Sequence, residues 1–243
     1  MSIIPEKWHP SWNAFMTEEK ITMLQNIEKQ ISNYTPEAKN VLRFLSRDLN
    51  EIKCIWVGQD PYYTMYDENK YVANGAAFWP NDLLSWHQPF SQRSLQNIIR
   101  GIYASINNIE EYKDIPKYNQ IKAEMTAGTF NILPPQEWFS SIEKQGVLLL
   151  NTYFTTEIGK SNAHRKIWEP FSEELIKFIA QNNKHAIWFL WGSEAQSKKT
   201  LIGEAKTYES NHPTFCSEKY TTDFLRNRCF KETKQHINWL GEK

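Results

Sequence analysis

Three stretches of the chain are apolar without interruption, and much of the rest is apolar only at every third or fourth position. IKCIWV (52–57), GVLLLN (146–151) and HAIWFLWG (185–192) are short, rich in Ile, Leu and Val, and closed by Gly or Asn. That is the pattern of strands buried on both faces. KTYESN (206–211) is a weaker fourth strand. Helical spacing begins after Thr17, which offers an N-cap, with Ile21, Leu24, Ile27 and Ile31 on one face, and helical character continues over 41–49. Further helices are expected over 94–106, 135–144, 168–181, 194–202 and 222–240. Strands alternating with helices predict a three-layer α/β/α sandwich around a central, mainly parallel four-stranded sheet. No repeat, low-complexity tract or Gly/Ser/Pro-rich linker divides the 243 residues, so one domain over 1–243 is expected, with the helical region 1–50 packed on it.

Composition narrows the class. Lys plus Arg and Asp plus Glu number 28 each, and no apolar run is long enough to span a bilayer, so neither a membrane span nor a polybasic tail is expected. The charge is slightly uneven: residues 184–243 carry 10 Lys/Arg against 7 Asp/Glu. Cys54, Cys216 and Cys229 are odd in number and share no ligand spacing, which argues against a disulfide framework or a cysteine metal site. The opening MSIIPEKWHPSW lacks the basic and apolar regions of a secretory signal, so a reducing, intracellular location is expected: cytoplasmic, or nuclear in a eukaryote.

In an open parallel sheet, ligands bind beyond the carboxyl ends of the strands. The residues following the four expected strands are Gly58-Gln59-Asp60, Asn151-Thr152, Gly192-Ser193 and His212-Pro213. Each alone is an ordinary loop or capping residue, but their convergence on one rim favours a site. No Walker-type phosphate loop or dinucleotide glycine fingerprint accompanies them, and Ser193 sits in GSEAQ, not in a G-x-S-x-G nucleophile elbow.

GQDPYY (58–63), ANGAAF (73–78), QGVLLLNT (145–152), SNAHRKIWEPF (161–171), FLWGSEAQ (189–196) and His212-Pro213 together resemble the ordered motifs of family 1 uracil-DNA glycosylases. The resemblance runs from about residue 52 to residue 228 and does not involve the first fifty residues. It implies a monofunctional DNA glycosylase, which flips a pyrimidine, uracil by default, out of DNA and hydrolyses its N-glycosidic bond to leave an abasic site. By the same resemblance, Asp60 is the anion that stabilises the sugar cation and orients water. His212 donates to the base O2, where negative charge collects. Gln59, Tyr62, Phe78 and Asn151 hold the base: Asn151 by its amide, Phe78 by stacking, Tyr62 by crowding the pyrimidine C5, Gln59 near O2. Ser94, Gly192, Ser193, Pro213, Phe215 and Cys216 position the DNA. No metal or other cofactor is implied, and the expected partner is single- or double-stranded DNA bound by a monomer. His164 and Trp168 are expected to be structural, with His164 bonding backbone, and the set Arg226, Arg228, Lys231 and Lys234 is expected to be a solvated helix face.

The departures from the family pattern cluster around the DNA. Tyr63 replaces the usual histidine, the loop 64–72 is long, only HQPFSQR stands for the proline-rich loop, and 103–143 contains extra residues. Where the family places a leucine wedge the chain has Cys216, with Phe215 beside it as the other candidate to enter the base stack. Two other readings therefore remain open here. One is excision of a 5-modified cytosine from virus DNA as antiviral defence, which requires Tyr62 to move aside. The other is a non-catalytic DNA-binding or processivity subunit, against which the retention of Asp60 and His212 speaks.

Overall fold

The computed structural model describes residues 2–68 and 70–242. Four strands form the central sheet: β1 (Cys54–Gly58), β2 (Val147–Asn151), β3 (Ile187–Trp191) and β4 (Thr207–Ser210). Their order is β2-β1-β3-β4, and every pairing is parallel. Each strand falls on an expected segment, β1 running one residue past 52–57 to Gly58, and β4 lying in the weaker segment KTYESN. Side chains alternate between the two faces of a strand, and the core accordingly divides in two. Cys54, Trp56, Val147, Leu149, Phe189 and Trp191 enter one apolar cluster, whereas Ile55, Val57, Leu148, Leu150, Trp188 and Leu190 enter the other.

The first face is covered by α2 (Arg93–Ile106), α3 (Tyr118–Ala127) and α4 (Pro135–Lys144), with Phe230 and Trp239 from the C-terminal segment. The second is covered by α1 (Glu18–Glu28) and α5 (Arg165–Asn182), with Trp12, Phe15 and Leu45. These are the three layers expected. Thr17 caps α1 as its sequence indicates, its hydroxyl accepting from the Lys20 amide at 3.4 Å. Trp56 has no exposed surface and lies within 6.3 Å, ring to ring, of Phe78, Trp138, Phe189, Trp191, Phe230 and Trp239. Truncating such a residue to alanine costs about 3–5 kcal/mol.

Three expected helices are shorter or broken. The region 41–49 is split into a helical turn at Ala38–Val41 and 3-10 turns at Arg43–Ser46 and Leu49–Glu51. The region 194–202 becomes two single turns, Ser193–Gln196 and Lys199–Ile202. Over 222–240 only a 3-10 turn, Phe224–Arg226, and a short helix, Cys229–Thr233, form. There the Asp223 carboxylate accepts from the Leu225 amide at 2.8 Å, and the Asn227 side chain accepts from the Cys229 amide at 2.9 Å. Such side-chain bonds offer the backbone an alternative to the helix ladder. The extra residues at 103–143 include α3, a helix that was not among those expected. Within the loop expected at 64–72, Met65–Asp67 pairs with Lys70–Tyr71, and Asn69 lies outside the described residues. Among the described residues no helix is long and apolar enough to cross a membrane.

Candidate active site

The parallel register aligns the carboxyl ends of the strands. Gly58 pairs with Asn151, and Trp191 with Ser210, so the segments that follow all leave from one edge of the sheet. A cavity of about 370 Å³ lies there, lined by Gln59, Asp60, Tyr62, Phe78, Ser94, Asn151 and His212 together with Gly58, Ser161 and Thr214. Seven of the twelve site residues expected from the sequence thus share one cavity. Gly192 and Ser193 line an adjoining cavity of about 140 Å³ that also touches Gln59 and His212. Pro213 lines neither, and its carbonyl accepts from the Asn97 side chain at 2.6 Å. Phe215 and Cys216 lie in a third groove, reached past Thr214. Phe215 is 71% exposed, whereas the Cys216 thiol lies 3.6 Å from the Pro213 carbonyl and burial pushes it up to about 12.

Asn151 is 3% exposed and lines the cavity, yet its side-chain amide makes no hydrogen bond among the described residues. Its neighbour explains how it fits. A Cβ on Gly58 would stand 2.5 Å from the Asn151 Oδ1 and 2.7 Å from the Ala77 Cβ, so only glycine lets the two strand ends come this close. Phe78 adopts a left-handed backbone, with φ of 63°, which is uncommon for an aromatic residue. Two bonds hold it there: the Ala77 amide donates to the Leu149 carbonyl at 3.0 Å, and the Tyr62 hydroxyl donates to the Phe78 carbonyl at 3.2 Å. Strain of this kind concentrates at functional sites. The Phe78 ring packs edge-on against Trp56 and Trp191 and lies nearly parallel to the His212 ring, centroids 6.2 Å apart.

Burial is the largest influence on the Asp60 carboxyl and pushes it above the usual carboxylate range. Hydrogen bonds oppose that shift: the Asn162 amide donates to Oδ2 at 2.7 Å, and the Ser161 hydroxyl at 3.0 Å. Gln59 is held in turn by the Asn162 side chain, its Nε2 donating at 2.5 Å. The His212 imidazole is held below its ordinary value by burial, which keeps it neutral at pH 7. Its Nδ1 accepts from the Thr214 amide at 3.2 Å, so the proton of the neutral ring resides on Nε2. Gly192, at φ of 91°, lies against this ring, and a Cβ there would come within 3.0 Å of the His212 Cβ. The arrangement therefore holds an acceptor anion, a neutral N–H donor, an uncommitted amide and a ring face around one space. Among the described residues no group of three or more His, Cys, Asp or Glu side chains stands close enough to hold a metal ion.

The profile of the Uracil DNA glycosylase superfamily matches residues 47–238, most of the chain. The chain belongs to this superfamily. Relatives named uracil-DNA glycosylase include that of Deinococcus radiodurans, 29% identical over 249 aligned residues, 98% of this chain and 85% of the relative. Another, from Francisella tularensis subsp. holarctica, is 32% identical over 219 residues, 84% of each. Among solved structures, the UNG of Nitratifractor salsuginis superposes with a TM-score of 0.67 at 21% identity, covering 97% of this chain and 94% of that one. The mimivirus uracil-DNA glycosylase also gives 0.67, at 20% identity, covering 97% and 85%. At those identities the superpositions speak for the glycosylase fold.

Ser161 and Asn162 join the site of this superfamily member without being expected from the sequence. They stand 101 and 102 residues from the Asp60 they bind, in SNAHRKIWEPF, a segment identified as a motif without a role for its first two residues. His164 departs from expectation: its Nδ1 bonds the Thr155 hydroxyl at 2.9 Å and not the backbone, and Trp168 donates to the same hydroxyl at 2.7 Å. The basic set is solvated as expected, with Arg226, Arg228 and Lys234 exposed, but only Lys231 lies within the helix Cys229–Thr233, so the four do not form one helix face. Arg228 and Lys231 converge on Glu110, Lys234 donates to the Asn108 side chain, and Arg226 lies over the Tyr112 ring. The N-terminal region, mostly outside the profile match, also reaches the site wall, where the Thr35 hydroxyl donates to the Tyr62 carbonyl at 3.2 Å.

Proposed function

We propose that this chain is a uracil-DNA glycosylase that receives a uracil turned out of DNA in the 370 Å³ cavity and hydrolyses its N-glycosidic bond. The observation that carries the reading is the Asn151 amide, almost wholly buried and without a hydrogen-bond partner among the described residues, beside the Phe78 ring. The amide faces the cavity with its donor and acceptor free, so a ligand offering one acceptor and one donor on a planar edge is the natural complement. Uracil N3–H and O4 form such an edge.

The chemistry follows from the two groups at the other end of the cavity. The bond between C1′ and the base nitrogen breaks with its electron pair departing on the base, and a water oxygen bonds to C1′ while its proton passes by way of the Asp60 carboxylate to solvent, from which the base anion takes one up. Asp60, fixed by Asn162 and Ser161, stabilises the positive sugar and directs the water, while the His212 Nε2–H donates to the base O2 as negative charge develops. A neutral donor prepared in advance needs no reorganisation at the moment of reaction. The hydroxyl bond from Tyr62 to the Phe78 carbonyl holds its ring in the cavity wall, against the position of a 5-substituent, which favours uracil over thymine and over bulky 5-modified cytosines. Phe215 is the ring offered to the base stack, since Cys216 is turned toward Pro213. Ser94 in the cavity wall, Gly192 and Ser193 in the adjoining cavity and Pro213 beside Asn97 are the residues that position the DNA, and the enzyme acts as a monomer.

The test is base release from matched DNAs carrying uracil, unmodified cytosine or a bulky 5-modified cytosine, with the liberated base identified by mass spectrometry. Uracil alone is expected, and Asp60→Asn should slow its release by two orders of magnitude or more, about 2.7 kcal/mol. Release of the modified base instead, or equal turnover by Asp60→Asn, overturns the assignment.

A further inference from the structure

The Glu194 carboxylate lines the cavity of about 140 Å³ beside Gln59 and His212, and the reaction above gives it no part. Both of its oxygens are engaged. The Tyr153 hydroxyl donates to Oε1 at 2.7 Å, and the Arg165 guanidinium donates to Oε2 at 3.0 Å. Tyr153, just past the end of β2, is fully buried. Burial first, and then the bond to Glu194, holds its hydroxyl above the ordinary tyrosine value, so it keeps the proton it donates. Each of these partners is bonded in turn to a residue that flanks Asp60. The Tyr153 amide donates to the Gln59 carbonyl at 2.9 Å, and the Arg165 amide, at the first position of α5, donates to the Asn162 carbonyl at 3.2 Å. Asn162 gives its own amide to the Asp60 Oδ2 at 2.7 Å.

The path from Asp60 through Gln59, Tyr153, Glu194, Arg165 and Asn162 thus returns to Asp60 as a closed circuit. It joins the segments that follow β1, β2 and β3 to the start of α5. Such a brace matters because Ser161 and Asn162 lie in an exposed turn, with Asn162 in a left-handed backbone at φ of 62°. On its other side the turn is held by Thr156, whose hydroxyl donates to the Lys160 carbonyl at 2.6 Å and accepts from the Ala163 amide at 3.2 Å. We propose that Glu194 is a positioning residue for the reaction: by holding Tyr153 and Arg165 together it fixes the turn whose Asn162 amide sets the Asp60 carboxylate. It serves the uracil-releasing reaction proposed above and rests on that reading. An ion pair that only decorated the surface, as Arg165 makes with Glu169 at 3.6 Å, would affect neither turnover nor the turn. Opening the circuit instead loosens Asp60 where positive charge develops, so the loss falls on kcat and not on KM.

The experiment compares the wild type with Glu194→Ala, Glu194→Gln and Tyr153→Phe. Thermal melts establish that each is folded, and Tyr153→Phe, which removes a single oxygen, carries the test if Glu194→Ala is not. Glutamine keeps the circuit closed, its carboxamide oxygen accepting from Arg165 and its NH2 donating to the Tyr153 oxygen. Glu194→Ala and Tyr153→Phe should each lower kcat for uracil release about tenfold with KM within about twofold, and Glu194→Gln should stay within about threefold of wild type. The double variant Tyr153→Phe/Glu194→Ala should be no slower than Glu194→Ala alone, since one broken bond already opens the circuit. Hydrogen exchange read by mass spectrometry over residues 157–164 should quicken about fivefold in the two opened variants and return to the wild-type rate in Glu194→Gln. An unchanged kcat in the opened variants, a change confined to KM, or a Glu194→Gln as slow as Glu194→Ala overturns the proposal. Exchange separates this inference from the catalytic one. A wild type that releases no base overturns the glycosylase reading alone: faster exchange in the opened variants still supports the brace, and equal exchange removes it even where uracil is released.

Discussion

Gly58→Ala tests whether the cavity depends on the close approach of two strand ends. The added methyl would lie 2.5 Å from the Asn151 Oδ1 and 2.7 Å from the Ala77 Cβ, whereas ordinary contact begins at 3.4 Å. The shortfall of about 0.9 Å at Asn151 must be met by movement. Ala77 cannot yield freely, because its amide is bonded to Leu149 in β2. The Asn151 amide is the more mobile partner, having no hydrogen bond to another described residue. Overpacking of this size costs about 1–3 kcal/mol of stability. A displacement of about 1 Å at a positioning group can cost about a hundredfold in rate, or 2.7 kcal/mol. We therefore expect a folded protein with a modestly lowered Tm and a kcat/KM for uracil release reduced about a hundredfold. The assay is steady-state release from a uracil-containing single strand, set beside a thermal melt. A folded Gly58→Ala with kcat/KM within about threefold of wild type would refute the claim that Asn151 reads the base from this position.

Ser161→Ala removes a hydroxyl that donates to Asp60 and so lets burial push that carboxyl still higher. Activity requires the ionised form and is lost as pH falls through the Asp60 pKa, so the acid limb of kcat/KM against pH should move to higher pH. Asp60→Asn should melt above the wild type at neutral pH, because the fold penalises the charged carboxylate. That difference should shrink as pH falls through the raised pKa toward the ordinary carboxylate range, where both states bind the proton, and a constant difference across the range would count against the burial argument. Gly192→Ala places a Cβ 3.0 Å from that of His212 at a φ of 91°; kcat should fall at least about tenfold with a loss of more than about 1 kcal/mol in stability, measured by turnover and denaturant melts.

Much of the architecture is legible in the sequence because buried parallel strands leave a clear trace: three of the four are short apolar runs ending at Gly or Asn, the fourth, KTYESN, is marked only weakly, and the candidate site lies at their ends. The residues proposed for catalysis and base contact follow from the motifs on those ends and from the 73–78 segment. What escaped was decided by side chains folding back on the backbone. Residues 222–240 have Phe224, Cys229, Phe230, Thr233 and Ile237 buried at roughly helical intervals, yet Asp223 and Asn227 interrupt the ladder with their own bonds. Helix α3 buries only Tyr118 and Ile121, too few apolar positions to mark a period, and ends in Gly128 at φ of 74°. Ser161 and Asn162 carry no local sign that they face Asp60, since the contact is made by the fold across the sheet's edge. The tautomer of His212 was equally invisible, because it is fixed by a backbone amide and not by a residue type.

The indoles packed behind Phe78 make the protein its own optical probe. Trp56 and Trp191 lie in edge contact with that ring, both are essentially without solvent exposure, and neither Nε1 has a hydrogen-bond partner among the described residues. Emission from indoles so shielded comes at short wavelength, since no polar neighbour relaxes around the excited dipole. A base stacking on the far side of Phe78 would alter the field and packing these two chromophores experience without touching either. Filling of the cavity should therefore be visible in the unlabelled protein's ultraviolet fluorescence, on the timescale of mixing, before any bond is broken.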